Sequence, residues 1–319
     1  MRPTEANPRL SAAPHPALRA PFSPLPGAKR TLRRGTVGFL YAAPALLFVA
    51  AFVLYPLVQL FLTSLTNASL LGGSDYVGWR NYVRAYHDAT FWRALIFTCK
   101  YTLIITPILM IVGYALALLT LSAGRLGKLT RAVVFLPVVI GLGSSSFLWY
   151  WLFDEQVGLV NKLLQDLRLI QQPIVWFVDA DLGLWAVIVS IVWKVVGFGM
   201  ILFVASLQSI GEEVNEAALI DGAGYWRRIV HISLPLTWRT ILLTTLVSAI
   251  GSMLAFDQFY IMTAGGPESK TFTSLYWIYQ NSFIYFKQGY GATLSVILMA
   301  IIIAASALQL FFMRRGART

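Results

Sequence analysis

Apolar and polar positions alternate in this chain on the scale of whole segments rather than single turns. Six apolar runs stand out, at Val37–Leu62, Ala94–Thr120, Arg131–Phe153, Leu182–Leu207, Thr240–Met262 and Ala292–Met313. Each exceeds or matches the roughly 20 residues that a helix needs to cross a bilayer. At 1.5 Å per residue they reach about 30–40 Å, enough to cross with some tilt. The pattern predicts an all-α membrane protein of six transmembrane helices. The links 63–93 and 154–181 are aromatic and polar and predict short surface helices, too small for an independent domain. The leading segment 1–36 holds prolines at 3, 8, 14, 16, 21, 24 and 26, half of the chain's fourteen. Such a stretch buries too little apolar surface to fold and predicts a disordered basic tail. The first run starts too late, and is too long, for the 7–15-residue core of a cleaved signal peptide.

Composition sharpens this picture. Hydrophobic residues make up 57% and charged residues only 12%, against about 25% charged in a soluble chain. Too few charges remain to wet a globule. The single cysteine, Cys99, excludes an intrachain disulfide. The three histidines, His15, His87 and His231, are too scattered for a metal site or a histidine dyad, and no metal is expected. A net charge of +11 invites a nucleic-acid partner, but the cations flank apolar spans, which is the signature of membrane topology instead. They concentrate in the leading tail, around Arg125, Lys128 and Arg131, at Arg227, Arg228 and Arg239, and at Arg314, Arg315 and Arg318. The opposite links hold fewer: Arg80, Arg84, Arg93, Lys162, Arg168, Lys270 and Lys287. Both termini are therefore expected in the cytoplasm, with no nucleic-acid partner. The closing stretch 314–319 reads as a short cytoplasmic tail.

The longest cytoplasmic connection is 208–239. Ser209 followed by Glu212 reads as a capping box and predicts a helix start there. Gly222 and Gly224 end that helix and permit a sharp turn. A second amphipathic piece runs from Tyr225 to Ile232, and Pro235 restricts the start of the fifth span. Lipid-binding helices are rich in Lys and Arg. This one opens on Glu212, Glu213 and Glu216 and turns basic only after its glycines. That order favours a helix presented to a cytoplasmic partner.

These residues also carry a family resemblance. Glu216-Ala217-Ala218, Asp221-Gly222-Ala223 and Ile232-x-Leu234-Pro235 resemble the EAA loop of binding-protein-dependent ABC importer permeases. The likeness runs from about residue 37 to 313. Val77-Gly78-x-x-Asn81-Tyr82, Phe135-Leu136-Pro137, Trp149-x-Trp151-x-Phe153 with Gly158-x-x-Asn161, and Trp193-Lys194-x-x-Gly197-Phe198 are similar to the carbohydrate-uptake branch. So are Phe256-Asp257, Thr263-x-Gly265-Gly266-Pro267 and Gly289-Tyr290-Gly291-Ala292. The Gly-Gly-Pro element resembles that of the first of the two sugar permeases, of maltose or glycerol-phosphate type. Gly211 stands where the family often has proline, and Asn215 where it often has a bulky residue. Six spans fall short of the maltose-type member's larger helix count.

The resemblance implies a type I ABC importer permease fold in a bacterial or archaeal inner membrane. It implies a cytoplasmic ABC ATPase dimer docked on Glu216, Ala217, Ala218, Asp221, Gly222 and Gly224, with Glu216 pairing a basic or polar group. It further implies a second, related permease subunit in a heterodimer, a periplasmic or lipid-anchored solute-binding protein, and surrounding lipid. The cargo would be a sugar or sugar derivative. The chain contains no G-x-x-x-x-G-K-[ST] sequence. It is expected to be no enzyme and to bind no cofactor, with ATP and Mg used by the partner ATPase. The competing reading is an ion-coupled secondary transporter of a small polar solute. That class shows repeat symmetry and intramembrane acids; here no repeat is convincing and Asp257 is the sole acid in a span. Ser144–Ser146 lack a base for a protease.

Charges at membrane depth cost about 2.5–3.5 kcal/mol on insertion scales, so those present ask for a reason. Lys194 is read either as a path-lining donor to the solute or as one half of an ion pair, with Asp257 or with a partner subunit. Asp257 either accepts sugar hydroxyls or ties the fifth span to its neighbours. Ser248 and Ser252 share a helix face, for packing or for the path. With Phe198 these make up the candidate substrate path: Lys194, Phe198, Ser248, Ser252 and Asp257. Lys100 snorkels outward. The Gly141-x-Gly143-Ser144-Ser145-Ser146 run permits close helix approach or a hinge. Trp149, Tyr150 and Trp151 read as an interface belt.

Overall fold

The computed structural model describes the backbone of residues 30–121 and 124–316 and the side chains of 39–121 and 124–311. Among these residues the only extended pairing is an isolated bridge between Thr66 and Tyr76. The rest of the regular structure is helical: α1 Arg30–Val49, α2 Tyr55–Ser64, α3 Arg80–Tyr86, α4 Ala89–Leu121, α5 Gly124–Val139, α6 Leu142–Leu152, α7 Leu159–Asp166, α8 Ala180–Gln208, α9 Glu212–Ile220, α10 Tyr225–Arg228, α11 Leu234–Met253, α12 Ser274–Tyr279 and α13 Gln288–Gly316. The chain divides into two compact units, 1–57 and 58–319. Residues 1–29 and 317–319, which include most of the expected leading tail, lie outside the described residues; residues 30–36 of that expected tail are already helix α1.

In the first unit α1 passes through a widened π turn at Ala50–Leu54 into the start of α2. Pro56 follows directly. The same device recurs in the second unit, where a π turn at Ile229–Ser233 joins α10 to α11 just before Pro235. Proline has no N–H to give and its ring crowds the preceding turn. A wider turn relieves that crowding without ending the helix. The fifth span therefore starts much earlier than sequence suggests: α10, the π turn and α11 form one apolar rod over Tyr225–Met253. It also ends earlier, at Met253 rather than Met262.

Among the described residues, five helices are long and apolar enough to cross a membrane: Phe39–Ser64, Ala89–Leu121, Ala180–Gln208, Tyr225–Met253 and Gln288–Phe311. A sixth crossing requires α5 and α6 taken together, and these are bent by 102°. The expected continuous third span, Arg131–Phe153, is thus corrected to two helices broken at Ile140–Gly141. Pro137 removes a backbone donor in the last turn of α5, and Gly141 takes an extended conformation (φ −59°, ψ 146°) from which α6 restarts.

In the second unit α8 is central, packed against α4, α5, α11 and α6. The largest core cluster gathers Tyr101, Ile105 and Leu109 of α4 with Leu184, Val187, Ile188, Ile191 and Val196 of α8, plus Phe259 and Met262. Asp179 starts α8 by accepting the backbone N–H groups of Asp181 and Leu182 at 2.9 Å each, as an N-cap does. Lys100 pairs with Asp181 at 3.0 Å, so α4 and α8 begin at the same end of the unit. That end carries α3 and α7, the two expected surface helices. The opposite end carries α9.

Candidate functional site

Three regions hold the sequence-predicted site residues, and each is built differently. The first is the break in the third span. Lys194 sits at the midpoint of α8 and is only 5% exposed. Its Nζ donates to Pro137 O at 2.9 Å and to Val138 O at 3.0 Å. The last carbonyls of a helix have no intrahelical partner, and in hydrocarbon no water replaces one. A cation is also favoured by the negative end of the helix dipole. Lys194 thus caps α5 where it stops. Among the described residues Lys194 forms no ion pair with Asp257; its hydrogen-bond partners there are backbone oxygens.

Its neighbours in the Trp-Lys-x-x-Gly motif serve the same break. Gly197 lies so close to α5 that a Cβ there would overlap Val134 O and stand 2.8 Å from Phe135 Cα. Trp193 packs edge-on against Trp149 of α6, with ring centroids 5.7 Å apart. Ser145 and Ser146 turn inward and both give their hydroxyls to Leu142 O, at 2.8 and 2.9 Å. Ser144 is exposed. The sequence signal for the break was present in Pro137 and Gly141; Lys194 as its cap was not, because nothing local says which carbonyls a mid-span lysine will meet.

The second region is the end of the fifth span. Asp257 is half-buried and lies beyond the helix end at Met253, opening the short helical segment that leads to Thr263. A carboxylate at a helix start is favoured by the dipole. Ser252 is buried and gives its hydroxyl to Ser248 O at 2.8 Å. Ser248 itself is half-buried, and Phe198 is exposed on α8. Lys194 is held at the α5 end, so the candidate path residues do not share one set of contacts. Past Asp257, the Gly-Gly-Pro element is a tight knot. Thr263 donates to Phe259 O at 2.8 Å and meets the Thr271 hydroxyl at 2.8 Å. Gly265 has φ +75°, and a Cβ on it would overlap the Phe272 ring.

The third region is the α9 end. Ser209 does not form the expected capping box. It closes α8, giving its hydroxyl to Ser206 O at 2.7 Å, and Gly211 stands at the N-cap of α9 instead. The far end of α9 is as the glycines require. Gly222 takes φ +72°, Ala223 N bonds Ala218 O at 2.9 Å and Gly222 N bonds Leu219 O at 3.0 Å. The longer of these loops, spanning five residues back, is the Schellman closure. Ala218 faces inward, whereas Glu216, Ala217, Asp221, Gly222 and Gly224 are exposed. On either side Ile210 and Ile229 anchor the loop in a cluster with Tyr114, Met200, Phe203 and Leu207. Between those anchors Ile220 is 87% and Trp226 74% exposed. Apolar side chains concentrated on a polar loop mark a contact surface.

A further polar cluster, at the α3 end, escaped the sequence reading. Asp88 caps α4, taking the N–H groups of Thr90 and Phe91 at 3.0 Å each. Its other oxygen accepts Trp277 Nε1 at 3.0 Å and the Tyr290 hydroxyl at 2.6 Å. Burial pushes its pKa up, but the hydrogen bonds from Tyr290, Trp277 and the backbone outweigh this and hold it below the ordinary carboxylate value. Tyr290 was visible within the Gly-Tyr-Gly motif; Asp88 had no motif around it.

Comparison with known proteins places the geometry. Residues 85–317 match the family model of the binding-protein-dependent transport system inner membrane component. The chain is 32% identical over 277 residues to the sulfoquinovosyl glycerol transport system permease protein SmoG of Agrobacterium fabrum, covering 86% of this chain and 89% of that one. It is 33% identical over 282 residues to the lactose transport system permease protein LacF of Rhizobium radiobacter, covering 87% and 94%. Its fold matches a chain of a bacterial alginate ABC transporter, solved in complex with an alginate pentasaccharide-bound periplasmic protein. The TM-score is 0.79 at 18% identity, over 90% of this chain and 97% of that one. The apolar rods, the broken third span and the exposed helix after α8 belong together as a permease: the chain is a member of the family of binding-protein-dependent transport system inner membrane components.

Proposed function

We propose that this chain forms half of the translocation path of an ATP-driven importer for a sugar or sugar derivative. In this reading α9 is the handle. An ATPase dimer on the cytoplasmic side grips Glu216, Ala217, Ala218, Asp221, Gly222 and Gly224, and its closure rocks the spans. A second, related permease subunit supplies the other half of the path, lipid surrounds both, and an external binding protein delivers the solute at the α3 end. Both termini then lie in the cytoplasm, a placement that the distribution of Lys and Arg supports. ATP and Mg belong to the partner, and this chain binds no cofactor of its own. Relatives named for lactose and for sulfoquinovosyl glycerol support the carbohydrate class.

The observation that carries the reading is the α9 end itself. A short acidic helix, closed by a Schellman turn and pinned at both sides, exposes Ile220 and Trp226, with nothing among the described residues to cover them. The test is uptake by the full transporter with Glu216→Lys or Gly222→Asp. Both variants are expected in the membrane at normal abundance, with the ATPase detached and uptake lost. Normal uptake by both, or uptake by the chain with no ATPase at all, would overturn the reading and favour an ion-coupled carrier.

A further inference from the structure

We propose that Lys194 is a positioning residue of the transport cycle: through it, α8 acts as the strut that carries displacement of α9 to the bent third span. The proposal rests on α9 being the coupling helix.

Three observations connect. First, α8 is a single uninterrupted helix from Ala180 to Gln208, and only Ser209, Ile210 and Gly211 separate it from α9. Leu207 and Ile210 pack in the same apolar cluster. A push on α9 therefore moves α8 as a rod instead of being absorbed in a slack loop. Second, one stretch at the middle of that rod touches both halves of the broken span. Lys194 holds Pro137 O and Val138 O at the end of α5, Gly197 lies against the backbone of Val134 and Phe135, and Trp193 packs on Trp149 of α6. Third, the bend has little of its own to hold its angle. Ile140 N returns to Pro137 O at 3.2 Å and Ser145 N to Gly141 O at 3.0 Å, and each of these bonds stays on its own side of the break.

An ammonium on a four-carbon stem suits this position. It attracts whatever carbonyl lies nearest, and it keeps a cation on the α5 end as the angle to α6 changes. Interactions with two discrete arrangements are what transmit a conformational change between distant sites.

The test uses the complete transporter in proteoliposomes, with its ATPase and its binding protein. Lys194→Met is expected to keep membrane abundance and to keep binding-protein-stimulated ATP hydrolysis within about twofold, while solute moved per ATP falls about tenfold with unchanged KM. Lys194→Arg, which restores a buried cationic donor, is expected to recover most of that ratio. Should Lys194→Met fail to accumulate, Lys194→Gln is measured in the same way. A rise in KM with turnover intact would make the lysine a solute contact and overturn the proposal. A fall in uptake that only follows abundance, or no recovery with arginine, would overturn it too. Failure of the coupling reading is separable, since that is read from Glu216→Lys and not from any Lys194 variant.

Discussion

At the α3 end, the carbonyl of Thr66 accepts the side-chain amide of Asn81 at 2.8 Å, and Gly289 lies so near that a Cβ would overlap the same oxygen. Ser64 O next to it accepts Asn81 and the Thr293 hydroxyl, at 3.0 and 2.9 Å. At the α9 end, Glu216 is exposed, and among the described residues no hydrogen bond or ion pair engages its carboxylate. Both stretches belong to family motifs and look alike as strings of letters. The difference lies in where their partners are. Asn81, Gly289, Tyr290 and Asn161 find theirs inside this chain; Asn161 alone makes four hydrogen bonds, to Asp154, Ile174 twice and Trp176. The side chain of Glu216 finds none among the described residues. A motif whose polar atoms are satisfied internally holds shape, and one whose atoms are left open is available to another molecule.

That contrast is breakable. The largest effect is expected for Gly289→Ala. The added methyl meets backbone rather than a yielding side chain, and overpacking of that kind costs about 3 kcal/mol. A marked drop in the melting temperature of the detergent-solubilised protein would show it, and an unchanged melting temperature would mean that the α3 end is looser than its contacts imply.

A smaller effect follows from Asp88. Its folded pKa is depressed, so the stability it contributes is present above the unfolded aspartate value of about 3.9 and is lost as pH falls through the lower folded value. Acid titration of Trp277 fluorescence should show the α3 end loosening in that window, and Asp88→Asn should remove the pH dependence. A transition in the same window that survives Asp88→Asn would assign it elsewhere.

The smallest effect on stability belongs to the other end. Glu216→Gln should leave the melting temperature as it is, within the roughly 0.5 kcal/mol expected of exposed sites, and yet reduce uptake severalfold. If it destabilised the protein as much as Gly289→Ala, the two ends would not differ in kind.

The break in the third span shows how far sequence reasoning reaches. Pro137 and Gly141 mark a discontinuity, and the Gly-x-Gly-Ser run was legible as a hinge. The span was nevertheless read as one helix, because apolarity alone does not distinguish a straight crossing from a bent one. Ser209 was misassigned for a related reason. A serine three residues before a glutamate satisfies the capping pattern, but the same serine also ends α8, and the preceding helix claimed it.

Periodicity and composition sufficed to place this chain in a bilayer and to locate most of its apolar segments. These follow from the cost of exposing backbone and charge to hydrocarbon, which every residue contributes to locally. The partners of the isolated polar groups were decided only in three dimensions. Lys194 was one buried charge with several conceivable counterparts, and its nearest acceptors proved to be carbonyls some fifty-seven positions earlier in the chain. A hydrogen bond depends on distances of a few tenths of an ångström between segments whose approach is set by packing, here by Gly197 against α5. No string of residues states that approach until the helices are brought together.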